Sequence, residues 1–294
     1  MGTPVISPYA RRTRLANCLR RLRDEAGLSG TQLAVKAGVD RTMVSKLETG
    51  DRRPNLNTVL KLLDALPVAE TDERYRAIVR IARDAAERGW WETTEYAGMG
   101  ERQARTADLE CGAVSIREYQ PSMLPGLVQT ADFAHHRGLI ALADGATFDP
   151  EATVRARMRR QQQIDQPDNC AYDLVLDEPA VRRVVVPVAV MADQLRHLLI
   201  LAGRPNVSVR VLPVDARLVD GRVPRSPFAI YAYPDEDDPT IVAADTVTTD
   251  LIMADPAESE RYVLMFDRLR RAALSERDSI ELIKRTAKQL STEV

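Results

Sequence analysis

The sequence predicts an all-α N-terminal domain of four or five short helices, then a larger α+β domain with a mixed or antiparallel sheet and two closing helices. Three observations carry this. Up to residue 66, apolar residues recur only at helical spacing and are cut by Gly and Pro. Past residue 113, β-branched runs such as VSVRVLP (207–213) interleave with helical patterns, as in an α+β domain. Charge divides the same way: residues 1–68 carry 12 Lys and Arg against 6 Asp and Glu, a balance of +6, and the remainder carries 29 against 37, or −8. A basic first quarter suits a phosphate-bearing partner and an acidic remainder does not.

The first helix is expected in TRLANCLRRLRDEAGL, where Leu15, Leu19, Leu22 and Ala26 repeat at helical spacing and Gly27 stops them. Before it, PVISPYARRTR reads as an N-terminal arm whose Arg11, Arg12 and Arg14 either follow a phosphate backbone, enter a minor groove or stay solvated. In TQLAVKAGVDRTMVSKLETG (31–50), Leu33, Ala34 and Ala37 form one stripe that ends at Gly38. Gly38 can close the helix in the left-handed conformation, and Asp40 is an N-cap for the next. That next helix buries Val39, Val44 and Leu47 and leaves Arg41, Thr42, Ser45 and Lys46 together on its wet face. A fourth helix runs between Pro54 and Pro67 with Leu56, Val59, Leu60, Leu63 and Leu66.

Residues 14–66 resemble the Cro/repressor-type (Xre) helix-turn-helix. In a twenty-residue motif starting at Gly30, the small residue falls on Ala34, the turn glycine on Gly38 and core positions on Leu33, Val39, Val44 and Leu47; LETGDRRP resembles the family's LE-x-G-x-R-x-P ending. The resemblance implies binding of double-stranded DNA through the second helix of the pair. Arg41, Thr42, Ser45 and Lys46 offer the donors, acceptors and cations that base edges and phosphates require, and Met43 at the margin can touch a thymine methyl. Arg52 and Arg53 are placed for phosphates. The family usually has Gln at the motif's first position, where this chain has Gly30, so Thr31 and Gln32 are the candidates to take over that contact.

Beyond Pro67, TDERYRAIVRIARDAAERGWW reads as a connecting helix with Tyr75, Ile78, Val79 and Ala82 on one stripe, ending at Gly89, with the Trp90–Trp91 pair as an anchor or an ordinary core element. EYAGMGERQART reads as a loop. The expected division is therefore 1–68 as the helix-turn-helix domain, 69–107 as connecting helix and linker, and 108–294 as the α+β domain. Within the last, AVSIREYQ (113–120), AYDLVLDE, VSVRVLP, PFAIYAYP and TIVAADTVTTDLIM read as strands, with DEDDP turning between the final two stretches. A helix follows PSMLPG, with Leu127, Thr130, Ala131 and Ala134. DPEATVRARMRRQQQI is a basic helix whose Arg155, Arg157, Arg159 and Arg160 wrap around it, VAVMADQLRHLLILAG a buried one, and ESERYVLMFDRLRRAAL and SERDSIELIKRTAKQL close the chain, the last capped by Ser275.

Segments including YQPSMLPGLVQTADFA, RARMRRQQ, LVLDEPAVRR and ADQLRHLLILAGRPNVSVRVLP resemble the C-terminal domain of a class of actinobacterial helix-turn-helix regulators, over about 108–290. That domain has no known function. The resemblance implies an antitoxin-like regulator, often encoded beside a small acidic partner protein. Together the two resemblances suggest a sequence-specific transcriptional regulator acting as a homodimer on an inverted repeat, its second domain sensing a small-molecule effector or a partner. The alternative is an interaction module whose main role is to bind an acidic protein, with MRRQQQ and SMLPGLVQT as docking segments.

Catalysis is not expected. His135, His136 and His197 with Asp177, Glu178 and Asp193 have no spacing that assigns nucleophile and base, and neighbouring His135 and His136 point about 100° apart on a helix. GxxxxGK[ST], G-x-S-x-G and HExxH motifs do not occur, so no cofactor or metal is expected. Cys18, Cys111 and Cys170 are odd in number and widely spaced, which argues against disulfides or a zinc knuckle; Cys18 reads as a small buried residue. No apolar run approaches a membrane span and the N-terminus lacks a secretory pattern, so a cytoplasmic protein with no membrane partner is expected.

Overall fold

A computed structural model describes residues 6–165, 170–218, 221–246 and 249–292. Pro4 and Val5 of the expected arm, and Val247 and Thr248 of the last strand stretch, lie outside the described residues. By its contacts the chain forms two compact units, one of residues 1–90 with 233–239 and one of 91–232 with 240–294.

The first unit contains five helices: α1 (Pro8–Glu25), α2 (Gly30–Ala37), α3 (Arg41–Glu48), α4 (Leu56–Asp64) and α5 (Glu73–Ala86). α2, α3 and α4 are too short to stand alone, and with α1 they share one core of Leu15, Leu19, Leu22, Leu33, Val44, Leu47, Val59, Leu62 and Leu63. Cys18 is only half-buried at its edge. Two expectations change here. Helix α1 begins at Pro8, capped by Ser7, whose hydroxyl accepts from Ala10 N at 3.0 Å, so the supposed arm is mostly helix. Helix α5 is no connector: Tyr75, Ile78, Ile81, Ala82 and Ala85 enter the same core. Its apolar stripe is as wide as those of the shorter helices, and a stripe of that width has to be covered.

The second unit holds a six-stranded mixed sheet: β1 (Ser115–Gln120), β2 (Ala171–Asp177), β3 (Val207–Leu212), β4 (Phe228–Ala232), β5 (Ile241–Asp245) and β6 (Asp250–Met253), in the order β3-β2-β1-β4-β5-β6. The β1–β2 and β2–β3 pairs are parallel and the rest antiparallel. Connection length explains the split. Parallel neighbours need a crossover helix, while the later strands return through short turns. After α6 (Glu101–Glu110), which precedes β1, the parallel strands are accordingly joined through α7 to α10: α7 (Ala131–Ala143) and α8 (Pro150–Asp165) link β1 to β2, and α9 (Glu178–Arg182) and α10 (Val188–Leu201) link β2 to β3. α11 (Pro256–Ala272) and α12 (Glu276–Ser291) close the chain.

Register divides the sheet into two faces. Tyr119, Phe228, Ile230, Val242 and Ala244 lie on one, where Phe266 and Leu269 of α11 cover them. The other face runs through Glu118, Ala229, Ala243 and Ile252, which are successive cross-strand partners on β1, β4, β5 and β6. Two alanines in that row leave space above it, and α6, α7 and α8 bound the space. The ERQART end of the segment expected as a loop, EYAGMGERQART, is instead the first part of α6, which buries Ala107, Asp108, Leu109 and Glu110, a mixed set that gives no apolar period to read.

Candidate nucleic-acid interface

The helix pair α2–α3 follows from local chemistry. Ser29 and Gln32 form a reciprocal capping box at the start of α2: Gln32 N donates to Ser29 Oγ at 3.3 Å, and Ser29 N donates to Gln32 Oε1 at 2.8 Å. Gly38, at φ 63°, ends the helix in the left-handed region, and Val39 N returns to Ala34 O at 3.0 Å. Asp40 then caps α3 by accepting from Thr42 N at 2.7 Å. Hydrogen bonds from Thr42, side chain first and then backbone, hold the Asp40 carboxyl below the usual carboxylate range.

Helix α3 is amphipathic. Val44 and Leu47 are buried, Met43 is half-buried, and Arg41, Thr42, Ser45 and Lys46 are all exposed on the other side. The structure thus brings the four polar residues singled out in the sequence onto one accessible face. Thr31 and Gln32 are exposed at the start of α2, but Gln32 spends its carbonyl oxygen on the cap and has only its amide nitrogen without a described partner. Arg52 is exposed in the loop after α3, whereas Arg53 is half-buried and engaged within the protein, so the two are not equivalent phosphate contacts. Val35, 78% exposed on α2, is an apolar side chain that lies off the buried stripe.

One ion pair and one cluster of ion pairs, both partly buried, hold the frame. Arg23 of α1 donates from Nε to Glu48 Oε1 at 2.7 Å and from Nη1 to Leu28 O at 2.9 Å, which ties α1 to the end of α3. Glu48, the glutamate of the LETGDRRP segment, is therefore a structural anchor rather than a surface charge. The other cluster corrects the reading of the N-terminal arginines: Arg14 meets Asp235 at 2.5 Å, Asp237 at 2.8 Å and Asp238 at 3.3 Å, and Arg11 meets Asp238 at 3.2 Å. The DEDDP segment, expected only to turn between strands, supplies all three aspartates. Arg11 and Arg14 therefore hold protein carboxylates and are neither a solvated tail nor placed for DNA. Sequence alone could not find this, because the partners lie more than 200 positions apart.

In the second unit the histidines do not converge. The His135 and His136 rings stand edge to face at 6.1 Å, and His136 Nδ1 bonds to Asp132 O of its own helix. Burial lowers the pKa of His197. Among the described residues no group of three His, Cys, Asp or Glu side chains is arranged to hold a metal ion. The basic helix α8 is not uniformly solvated: Arg155 and Arg159 are exposed, while Arg160 is buried against Glu110 and Arg157 is hydrogen-bonded to Gln129. The spacing puts 155 with 159 and 157 with 160 on different faces, but which face is covered depends on the partners Glu110 and Gln129. No described helix is long and apolar enough to cross a membrane.

The first unit is thus a helix-turn-helix unit and the second a mixed-sheet α+β domain with two C-terminal helices. Residues 14–76 match the helix-turn-helix domain family, and residues 103–285, more than half of the chain, match the domain of unknown function DUF5753. The chain belongs to the DUF5753 family and carries a helix-turn-helix at its N-terminal end. No curated protein and no solved structure matches it.

Proposed function

We propose that the protein is a sequence-specific transcriptional regulator that binds an inverted repeat in double-stranded DNA as a homodimer, and whose α+β domain responds to a ligand. The observation that carries this reading is the α3 face of Arg41, Thr42, Ser45 and Lys46, exposed together on a helix whose other side is locked into the core. One such unit contacts too little DNA for tight specific binding, and a two-fold dimer with recognition helices about 34 Å apart is the usual physical solution. The LETGDRRP segment supports placement in the Xre type, and the antitoxin-like class rests on the sequence resemblance over about 108–290. We read the protein as a binding protein and not an enzyme, working in the cytoplasm, since His136 is bonded to the backbone of its own helix and no described His, Cys, Asp or Glu side chains group as metal ligands.

Docking of an acidic partner protein on α8 is the weaker reading. Arg157 and Arg160 turn inward, which leaves Arg155, near Asp149 and Glu151, and Arg159, near Gln162, as its exposed cations.

The test is selection of bound fragments from random DNA by the full-length protein at near-physiological salt, beside an Arg41→Ala, Ser45→Ala double variant. The expected result is an inverted repeat recovered by the native chain alone. Recovery of the same weak pool by both would remove α3 from sequence readout.

A further inference from the structure

The space above the alanine row of the sheet is a pocket of about 360 Å³, within the range of small-molecule sites. Its floor is the row Glu118, Ala229, Ala243 and Ile252, and its walls come from α6, the 123–129 segment, α7 and α8. Five arginines line it: Arg102, Arg105, Arg137, Arg157 and Arg160. Four carboxylates also line it, so the question is which charges are already matched.

Two arginines are. Arg160 meets Glu110 through two parallel bonds, Nε to Oε2 at 2.7 Å and Nη2 to Oε1 at 2.6 Å, and gives Nη1 to Gln103 at 2.5 Å. Gly126 permits this arrangement, because a Cβ there would sit 3.3 Å from Arg160 Nη1. Arg102 pairs with Asp250 and lies 3.8 Å from Asp245. Glu118 is occupied by Tyr172, whose hydroxyl donates to Oε2 at 2.6 Å, and by Gln120 at 2.8 Å. These contacts use all four carboxylates.

Of the other three, Arg105 is exposed to solvent, and Arg137 and Arg157 are the half-buried pair left over. Among the described residues no carboxylate lies within ion-pair distance of either, and the buried Nε of each has no hydrogen-bond partner. Arg157 is nonetheless held in place. It donates to Gln129 Oε1, the Gln129 amide donates to Leu124 O at 2.6 Å, and Gln161 donates to Gln129 O at 2.5 Å. A guanidinium fixed by a neutral amide, beside other guanidinium groups and without a counter-charge, carries an unfavourable local field that an incoming anion would relieve. Planar guanidinium forks match the oxygens of carboxylate and phosphate.

We propose that this pocket binds a small molecule bearing a carboxylate or phosphate group, with Arg157 and Arg137 as its anion contacts and the Ala229–Ala243–Ile252 row beneath its less polar part. The inference deepens the ligand-responsive reading of the α+β domain and rests on it only for the consequence at DNA. Burial, and then the nearby Arg160 and Arg137, lower the Arg157 pKa to about 10, in keeping with an unmatched cation.

The experiment follows thermal unfolding of the full-length protein with inorganic phosphate, pyrophosphate or citrate, each against chloride at equal ionic strength. Native protein is compared with Arg157→Gln, Arg137→Gln and the surface control Arg159→Gln. Excluded anions raise the midpoint of every variant alike. A pocket ligand instead gives a saturable rise in native and Arg159→Gln protein, and loses at least ten-fold in apparent affinity in Arg157→Gln or Arg137→Gln. Two pocket variants are used so that a folding failure of one leaves the other to decide. Equal shifts in all four proteins, or no saturable shift with any anion, overturn the proposal. Gel shifts on the selected DNA with and without the anion keep the two readings apart: anion binding without any change at DNA defeats the ligand-responsive regulator and leaves the pocket standing, and DNA binding without anion binding does the reverse.

Discussion

Individual side chains on the helix-turn-helix surface divide by what they can reach. Arg41 stands in the first turn of an exposed helix, where a guanidinium can take guanine O6 and N7, so Arg41→Ala should weaken binding to the cognate site by about 1 to 3 kcal/mol and relax one base position. Arg52 sits in the loop beyond the helix. Its replacement by Ala should weaken cognate and scrambled sites equally and reduce the salt slope by about 1. Gel shifts at two salt concentrations separate the two, and an equal loss on both sequences for Arg41→Ala would take it out of base readout. In the pocket, Glu118 offers a pH test. Burial raises its carboxyl from 4.5 to about 7, so the folded protein holds a proton that the unfolded chain releases. The contribution to stability is complete below 4.5 and lost as pH rises to 7. Glu118→Gln should remove that loss, and the stability gap between variant and native should widen over this interval in urea melts; parallel curves would show that Glu118 ionises normally.

At the scale of elements, caps and one ion pair set the α2–α3 geometry. Ser29→Ala removes half of the capping box and should lower stability by about 1 kcal/mol. Glu48→Ala leaves Arg23, which is half-buried, with only Leu28 O and the exposed Asp24 carboxylate and should lower it by about 2 kcal/mol. Denaturant midpoints at constant slope measure both, and equal effects would mean that Arg23 finds water or another partner. The short helices were legible in the sequence because each carries its own stop and start: Gly38 and Asp40 act within a few residues. Helix α6 was not, since its buried face is Ala107, Asp108, Leu109 and Glu110, and a buried Glu is readable only with its partner Arg160, which lies 50 positions away.

For the whole molecule, the acidic segment 235–238 decides what the basic first quarter can offer a phosphate backbone. Arg11 and Arg14 are already matched by Asp235, Asp237 and Asp238, so part of the +6 balance is neutralised inside the protein. Burial raises the Asp238 pKa despite both arginines, as expected of a carboxylate with no exposed side-chain surface. Asp238→Asn should lower the melting midpoint through a loss of about 3 kcal/mol, by leaving Arg11 largely buried with a weaker partner. An unchanged midpoint would show that Asp84 and Asp235, the other carboxylates beside Arg11, suffice for it.

The sequence by itself determined the helix-turn-helix, its exposed α3 face, the strand segments and the two closing helices. Each of these rests on interactions within a few residues: periodicity, caps, left-handed glycines and β-branched runs. Only the tertiary structure decided that α5 belongs to the first core, that DEDDP holds Arg11 and Arg14, and that Arg157 and Arg160 face a pocket while Arg155 and Arg159 face water. These depend on which charges and faces meet across long stretches of chain. A local pattern specifies that a face must be covered or a charge compensated, and the folded chain supplies the group that does so.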